Sequence, residues 1–388
     1  MARLPLDGVR VLDFSTLLPG PLATLILAEA GADVIKIERP GGEDLRRYPP
    51  MIDEDESAYF VMLNRGKRAY SANLKDAGDR DRILAMAAGC DVLVEQFRPG
   101  VMARLGLGYE DLRKINPRLV YCSISGFGQA GARSLEPAHD LNYLALGGML
   151  SLTGDDDGAP VLPHVPVADI GGGTFPALVN ILLALRLAEA TGRGEWLDIA
   201  MAENAFCWQP WVMAQQEAGQ GWPEAGRGLM SGGSPRYMIY RTADDRYLAA
   251  APLEEHFWGN FCNAIDLHPA LRDDSIDPGA TIAGVAAQIA GRPAADWVAL
   301  FSGRDVCCTL VATPDEARRD PDFAARGVFA RRVRAGEHTL AALPMPLARS
   351  LRRPEAVVPG APPPRPIDEL AAPVWRQRKP AGSAMPHD

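Results

Sequence analysis

The stretch EPAHDLNYLALGGMLSLTG, residues 136–154, places a histidine and an aspartate side by side ahead of an apolar run. An imidazole titrates close to pH 7, and an adjacent carboxylate can set its tautomer and raise its basicity, so His139 and Asp140 could transfer a proton. Aspartate is also a favoured helix N-cap, and DLNYLALGGML could be the helix that it caps. The pair alone leaves acid–base chemistry and a purely structural role both open.

A second acid, Asp169, stands in VADIGGG directly before three glycines. Glycines allow a backbone or a ligand to approach closely, and at a helix start they leave amide groups available to an anion. The structural alternative is that Asp169 ends a strand and caps a helix that begins near Thr174 and stops at Gly192 and Gly194. Both interpretations of Asp169 stay open at this point.

Basic side chains recur at the ends of predicted strands. Charged residues in such places usually form a solvated face, but in open α/β folds ligands bind outside the carboxyl ends of the strands. A phosphate-rich ligand would suit a basic rim of this kind. The residues concerned are Arg39, Arg65, Lys67, Arg68 and Arg98.

The sequence lacks the common nucleotide-binding motifs. After the first predicted strand the turn reads TLLPGP rather than GxGxxG, so the dinucleotide fingerprint is missing. Glu38 stands where an acid that binds ribose is expected, but Arg39 follows it directly and favours phosphate. The GKR stretch, residues 66–68, has neither the upstream glycine nor the following serine or threonine of a P-loop. We therefore predict neither a dehydrogenase nor a P-loop protein.

Strands that alternate with helices over the first 130 residues would position these side chains. VRVLDFS (9–15), GPLATLILAEAGA (20–32) and DVIKIERP (33–40) are typical of a strand, a helix and a second strand, which form one βαβ unit. Further strands are predicted within 90–100 and 118–128. The predicted fold class is therefore α/β, with a Rossmann-like parallel sheet.

The pattern along the chain predicts two domains and a tail. Residues 1–220 form the large Rossmann-like domain, and the glycine-rich residues 221–233 form a linker. Residues 234–327 form a smaller α+β domain that begins with two strands around the turn at Ala243-Asp244-Asp245. Residues 328–388 form a Pro-rich C-terminal tail.

Composition narrows the class of protein. With 388 residues, 47% of them hydrophobic, the chain is long enough for two or three globular domains. The 40 basic and 49 acidic residues give a net charge of −9, which argues against nucleic acid as a partner. No secretory signal is apparent, and the longest apolar run, interrupted by Arg186 and Glu189, predicts no membrane span. Six cysteines without a CxxC pair and scattered histidines predict a cytoplasmic protein with free thiols and no metal site.

Several blocks of the sequence, in order along nearly the whole chain, resemble the class III CoA-transferase family. This family includes formyl-CoA transferase, carnitine CoA-transferase and α-methylacyl-CoA racemase. The resemblance implies a Rossmann-like large domain completed by the C-terminal tail, a small α+β domain, and two chains interlocked as rings in a homodimer. It is carried by LDGVRVLDFSTLLPGPLATLILAEAGADVIKIERPGG, LNRGKRAYSANLK, CDVLVEQFRPGVMARLGLG, YCSISGFGQAG and VADIGGG followed by TGRGEWLDIAMAE.

Three further blocks are more similar to the racemase branch: AHDLNYLALGGMLS, SGGSPRYMIYRTADDRYLAAAPLEEHFW and DVCCTLVATPDEARRDPDFAARG. This resemblance implies that His139 and Asp169 lie on opposite sides of the substrate α-carbon. It also implies that Asp140 and Glu254 support His139. Arg236 in GSPRY adds a positive charge near the expected acyl pocket, which would suit a dicarboxylic or hydroxylated acyl group.

The resemblance also implies the ligand and the choice between two reactions. Arg39 and Arg98 are the implied CoA-binding arginines, with Lys67 and Arg68 as further candidates, and CoA enters as part of the acyl-CoA substrate rather than as a tightly bound cofactor. The favoured reaction is a 1,1-proton transfer on an acyl-CoA thioester, as in α-methylacyl-CoA racemase. The alternative is a CoA transferase, in which Asp169 would form an aspartyl-CoA thioester and a carboxylic acid would accept the CoA.

Overall fold

A computed structural model describes residues 3–54, 56–155, 157–370 and 374–375. Its strands are β1 (Arg10–Phe14), β2 (Asp33–Glu38), β3 (Arg68–Ser71), β4 (Val92–Glu95), β5 (Val120–Ser125), β6 (Trp196–Ala200), β7 (Met238–Arg241), β8 (Tyr247–Ala250), β9 (Cys308–Leu310), β10 (Arg332–Ala335), β11 (His338–Ala341), β12 (Val357–Pro359) and β13 (Arg365–Pro366).

The α-helices connect these strands and cover the sheets. They are α1 (Pro19–Glu29), α2 (Ala58–Asn64), α3 (Ala77–Ala87), α4 (Val101–Arg104), α5 (Tyr109–Ile115), α6 (Asp140–Leu146), α7 (Phe175–Thr191), α8 (Met201–Asn204), α9 (Pro210–Glu217), α10 (Glu255–Ala264), α11 (Pro278–Ile289), α12 (Ala294–Phe301), α13 (Pro314–Arg319) and α14 (Pro321–Ala325).

The chain divides into two compact units. The first contains the described residues of Met1–Leu144, Val165–Trp208 and Pro321–Asp388. The second contains those of Ala145–His164 and Gln209–Asp320. The domain boundaries predicted from the sequence stay a prediction.

A seven-stranded sheet organises the first unit, in the order β13-β3-β2-β1-β4-β5-β6 with every neighbouring pair parallel. The six strands from β3 to β6 follow the 3-2-1-4-5-6 order of doubly wound nucleotide-binding folds. All six residues of β5 are buried, as expected for a central parallel strand with both faces covered. The predicted α/β fold with a parallel sheet is therefore confirmed.

Local sequence explains the helix that follows β1. Pro19 and Pro21 stand in the first turn of α1, where a missing amide proton costs no hydrogen bond, and every residue of this helix is buried. The helix contributes Leu25 and Ile26 to a core that also includes Phe60. The helix that connects β1 to β2 lies over a face of the sheet. It therefore leaves the carboxyl ends of these two strands accessible to a ligand.

The second unit has its own core. An antiparallel sheet in the order β7-β8-β9 packs with α10, α11 and α12 around Trp258, Phe261 and Trp297. The two strands predicted around Ala243-Asp244-Asp245 are β7 and β8, and Asp245 has a positive φ of 60° in the turn between them. This hairpin prediction is confirmed.

One helical stretch, Ala168–Thr191, is long and apolar enough by composition to pass as a membrane span. A single helix of this kind is weak evidence, because core helices of soluble proteins have the same composition. Ala177, Ile181, Ala184 and Ala188 are buried within the first unit and show that one face of α7 serves as a core face.

Candidate active site

A crevice lies at the carboxyl ends of the parallel strands, where open α/β sheets bind ligands. Its volume is about 660 Å³, and residues at or just after the ends of β1, β2, β3 and β4 line it. Phe14, Ile37, Leu74 and Phe97 give it apolar walls. The basic side chains on its lining are Arg39, Lys75 and Arg104.

The structure places the predicted Arg39 on this crevice and adds two basic residues that sequence reasoning missed. Lys75 follows β3, a strand that was not predicted, and Arg104 ends α4. All three basic side chains are exposed, and Arg39 pairs with Asp44 while its Nε donates to the carbonyl of Gly42 at 3.0 Å. Only the strand order brings Lys75 and Arg104 to the same edge, so no local motif could have identified them.

Arg98 and Arg68 occupy different places. Arg98 is exposed and directly follows Phe97, which lines the crevice. Arg68 starts β3 and pairs with Asp33, the first residue of β2, with a shortest distance of 2.6 Å. Asp33 lies at the amino end of its strand, so the structure does not bring Arg68 to the crevice.

Lys67 is buried, with 2% of its surface exposed. Its ammonium lies 3.1 Å from Asp13 Oδ2, 2.9 Å from the carbonyl of Pro21, 2.8 Å from Thr24 Oγ1 and 2.8 Å from Asn64 Oδ1. An ammonium has three protons to donate, so these protein acceptors use all of them. In this arrangement Lys67 joins β1, α1 and α2 and has no donor left for a phosphate.

Asp140 and Asp169 are brought together by a direct hydrogen bond. Asp140 is the first residue of α6, and its Oδ1 accepts the backbone amide proton of Asp169 at 2.8 Å. The carboxylate of Asp140 therefore holds the backbone of Asp169, and its predicted support of His139 stays a prediction. This bond joins residues 29 positions apart in the chain, which no local pattern predicts.

Asp169 lies within a π-helical turn, Ala168–Thr174, that continues into α7. Such turns are rare and occur frequently at functional sites. The three glycines inside it permit close packing, because a Cβ at Gly172 would lie 2.3 Å from the carbonyl oxygen of Met201. A Cβ at Gly173 would likewise lie 2.9 Å from Pro19 Cβ. The glycines thus let the backbone that carries Asp169 lie directly against its neighbours.

The surroundings of Asp169 favour its protonated form. Its side chain is half-buried, and burial, followed by the negative charge of Asp140, raises its pKa from 3.8 to about 6. A positive charge on His139 acts in the opposite direction. His139 itself is exposed.

Glu254 belongs to the second unit. It is exposed and occupies the N-cap position of α10 without a capping hydrogen bond from its side chain. Arg236, also in the second unit, donates to both carboxylate oxygens of Asp274 at 2.8–2.9 Å and to Glu255 at 2.7 Å. Both acids form ion pairs with Arg236, and the predicted position of its charge near an acyl pocket stays a prediction.

The chain is similar to known proteins of one family. A family model described as CoA-transferase family III matches residues 6–364. The chain is 36% identical to mouse succinyl-CoA:glutarate CoA-transferase over 313 residues, which are 78% of this chain and 71% of that enzyme. It is 33% identical to human alpha-methylacyl-CoA racemase over 356 residues, which are 89% of this chain and 86% of that enzyme.

A solved structure of Rv3272 from M. tuberculosis is also similar. The two structures superpose with a TM-score of 0.79 at 29% sequence identity, covering 96% of this chain and 99% of that chain. The similarity therefore extends over nearly the whole architecture rather than over one motif.

Proposed function

Because the chain belongs to CoA-transferase family III, we propose that this enzyme exchanges the α-proton of an acyl-CoA thioester, as an α-methylacyl-CoA racemase does. The observation that carries this proposal is Asp169, whose backbone amide is held by Asp140 Oδ1 at 2.8 Å and whose pKa is raised to about 6. Proton exchange needs a carboxyl that can hold a proton close to neutral pH, whereas a carboxylate nucleophile reacts in its ionised form.

In the proposed reaction, the neutral imidazole of His139 removes the α-proton from one face of the substrate. The electron pair of the broken C–H bond moves into the enolate of the thioester. Protonated Asp169 then donates its proton to the α-carbon from the other face, which leaves an aspartate and an imidazolium. The reverse direction uses ionised Asp169 as base and the imidazolium as acid, so the same two groups serve both enantiomers.

The crevice at the carboxyl ends of the strands is the proposed site for the nucleotide part of CoA. Its apolar walls suit an adenine ring, and Arg39, Lys75 and Arg104 supply positive charge for the phosphates. The lining also carries the acids Glu38, Glu43 and Asp44, and Asp44 pairs with Arg39. Arg98, exposed beside Phe97, is a further candidate for a phosphate contact.

CoA transfer is the second candidate, favoured by the 36% identity to the mouse CoA-transferase and to acetyl-CoA:oxalate CoA-transferase of Acetobacter aceti. Ionised Asp169 would attack the thioester carbonyl and expel CoA thiolate, forming a mixed anhydride. The thiolate would then attack the aspartyl carbonyl, release the first carboxylate and form an aspartyl-CoA thioester. An acceptor carboxylate would then attack the aspartyl-CoA thioester, and the same two steps in reverse would transfer CoA to the acceptor and free Asp169. This sequence gives His139 no obligatory role.

Deuterium exchange separates the two reactions. We would incubate the enzyme in deuterated water with a panel of acyl-CoAs and no acceptor acid, and follow α-deuterium uptake by mass spectrometry. We expect uptake by the wild type and a decrease of about 10²–10⁴-fold in His139→Ala and in Asp169→Ala. Arg104→Ala should raise KM for the thioester and leave kcat near that of the wild type, because it removes charge only from the crevice.

The proposal is wrong if no acyl-CoA of the panel exchanges its α-proton while CoA moves to an added carboxylate. A hydroxylamine-sensitive adduct on Asp169 would then identify a CoA transferase. In that case His139→Ala would retain activity.

We also propose an interlocked homodimer located in the cytoplasm. Apolar side chains exposed on α7 support the association, since a face of this kind is commonly covered by a partner. Light scattering in solution would contradict the proposal if it gave the mass of one chain. The exposed residues on this face are Val179, Leu182, Leu183 and Leu187.

A further inference from the structure

Tyr143 lies under the candidate active site without facing solvent. It belongs to α6, only 4% of its surface is exposed, and its hydroxyl donates to the carbonyl of Ala138 at 2.9 Å. Ala138 directly precedes His139 in the chain. The hydroxyl therefore holds the peptide group through which the backbone enters His139.

The ring of Tyr143 is itself held by the end of the parallel sheet. Gly126 and Phe127 directly follow β5, and the ring of Phe127 packs edge-on against that of Tyr143, with the centroids 5.4 Å apart. A Cβ at Gly126 would lie only 2.6 Å from the Tyr143 hydroxyl oxygen. The missing side chain at position 126 thus makes room for the hydroxyl, and the sheet serves as a rigid support for it.

The other side of His139 is also held. Its backbone amide donates to Asn142 Oδ1 at 3.0 Å, and its carbonyl accepts the amide proton of Asn142 at 2.9 Å. These bonds set the turn at the start of α6, but Asn142, the partner in both, is exposed and belongs to the same turn. The bond from Tyr143 to Ala138 is the contact that ties this turn to a buried side chain packed on the sheet.

Tyr143 also lies within electrostatic reach of both acids. Burial first, and then the charges of Asp169 and Asp140, raise its pKa to about 12, so the hydroxyl stays protonated and can donate at any pH at which the enzyme works.

We propose that Tyr143 is a positioning residue that fixes His139 relative to Asp169 through the Ala138 carbonyl. This inference rests on the proposed function, because the alignment of two groups across one carbon matters only if both exchange protons with it. A displacement of about 1 Å at a reacting group can lower the rate by about 10²-fold. A hydroxyl held by the sheet prevents such a displacement.

The second unit offers a matched control. Tyr240 is 2% exposed, and its hydroxyl donates to the carbonyl of Pro235, five residues earlier, at 2.9 Å. Tyr143 bonds to a carbonyl five residues earlier at the same distance. Tyr143→Phe and Tyr240→Phe therefore remove the same buried bond, one beside the candidate site and one within the core of the second unit.

We would measure α-deuterium exchange, urea unfolding and pH profiles for both variants. Tyr143→Phe should lower kcat by about 10- to 100-fold with KM changed by less than about twofold, since only the alignment of the proton carriers changes. Tyr240→Phe should lose a similar amount of stability and keep kcat within about twofold. Equal kcat for Tyr143→Phe and the wild type would overturn the proposal.

Histidine NMR tests the position of His139 whichever of the two reactions the enzyme catalyses. In protein labelled at histidine Cε1, the His139 resonance, assigned with His139→Gln, should shift or broaden in Tyr143→Phe and stay unchanged in Tyr240→Phe. If the wild type exchanges no α-proton, the proposed function fails while this spectrum still tests the positioning. An unchanged His139 resonance in Tyr143→Phe would overturn the positioning role even if kcat fell.

Discussion

Two aspartates of the first unit, Asp13 and Asp169, have opposite protonation behaviour. Asp13, in β1, is fully buried, and burial, the largest effect on it, raises its pKa. The charges of Lys67 and Lys36 nevertheless lower that pKa to about 2. Asp169 is less buried, and burial, followed by the charge of Asp140, raises its pKa to about 6.

Burial raises the pKa of both carboxyls, and the difference between them comes from the cations beside Asp13, which reverse that effect. Asp13 also accepts a hydrogen bond from Thr24 at 2.6 Å and one from the amide of Ser15 at 2.9 Å, so every contact stabilises its ionised form. Asp169 has an acid beside it and only His139 to oppose that charge. The first arrangement stabilises the fold, and the second prepares a group for chemistry.

Removing the cation beside Asp13 should produce the largest effect. Lys67→Met keeps the apolar stem but leaves the buried carboxylate without its closest cation, so we expect a loss of about 3–5 kcal/mol of unfolding free energy. Urea denaturation at pH 7 measures this loss.

Arg68→Met is the adjacent control for that experiment. The Arg68–Asp33 pair is 43% and 44% exposed, so its removal should cost at most about 1 kcal/mol. Equal losses in the two variants would contradict the distinction between the buried network and the surface pair.

Removing the charge of Asp169 should change the unfolding free energy by less than Lys67→Met does, and should increase it. Because the folded-state pKa is raised from 3.8 to about 6, the folded protein binds more protons than the unfolded chain, and stability falls as pH rises through this window. The shift corresponds to about 3 kcal/mol, which solvent screening at this half-exposed carboxyl reduces to about 1–2 kcal/mol. Asp169→Asn should therefore be more stable than the wild type at pH 7.5, while losing activity.

Urea denaturation at pH 7.5 and at about pH 3 checks this prediction. The difference should vanish near pH 3, below both pKa values, where Asp169 is protonated in the folded and in the unfolded chain. A variant less stable than the wild type at pH 7.5 would show that the Asp169 carboxylate stabilises the fold as Asp13 does.

The smallest effect is expected from Asp140→Asn. The asparagine oxygen can still accept the amide proton of Asp169, but the negative charge that raises the pKa of Asp169 is lost. The limb of the pH–rate profile that reports the titration of Asp169 should move to lower pH, and kcat at pH 7 should fall by about two- to fivefold in the direction in which Asp169 acts as acid. A shift to higher pH would mean that the charge of Asp140 does not act on Asp169.

Much of the fold was predictable because its signals are local. The short apolar runs of β1 and β2 predict buried strands. The prolines in the first turn of α1 fix the start of that helix, and Gly192, with a φ of 73°, ends α7. The short β13 was missed, since it gains its strand conformation only by pairing with β3, almost 300 residues earlier in the chain.

The sequence by itself determined which residues could carry out chemistry. His139, Asp140 and Asp169 are recognisable as candidate catalytic residues from their types and neighbours. Tertiary structure alone decided what each charge does. It buried Lys67 against Asp13 and set the carboxylate of Asp140 against the backbone of Asp169. Electrostatic energies depend on distance and solvation in three dimensions, so residues far apart in the chain determine whether a carboxyl becomes a structural ion or a proton carrier.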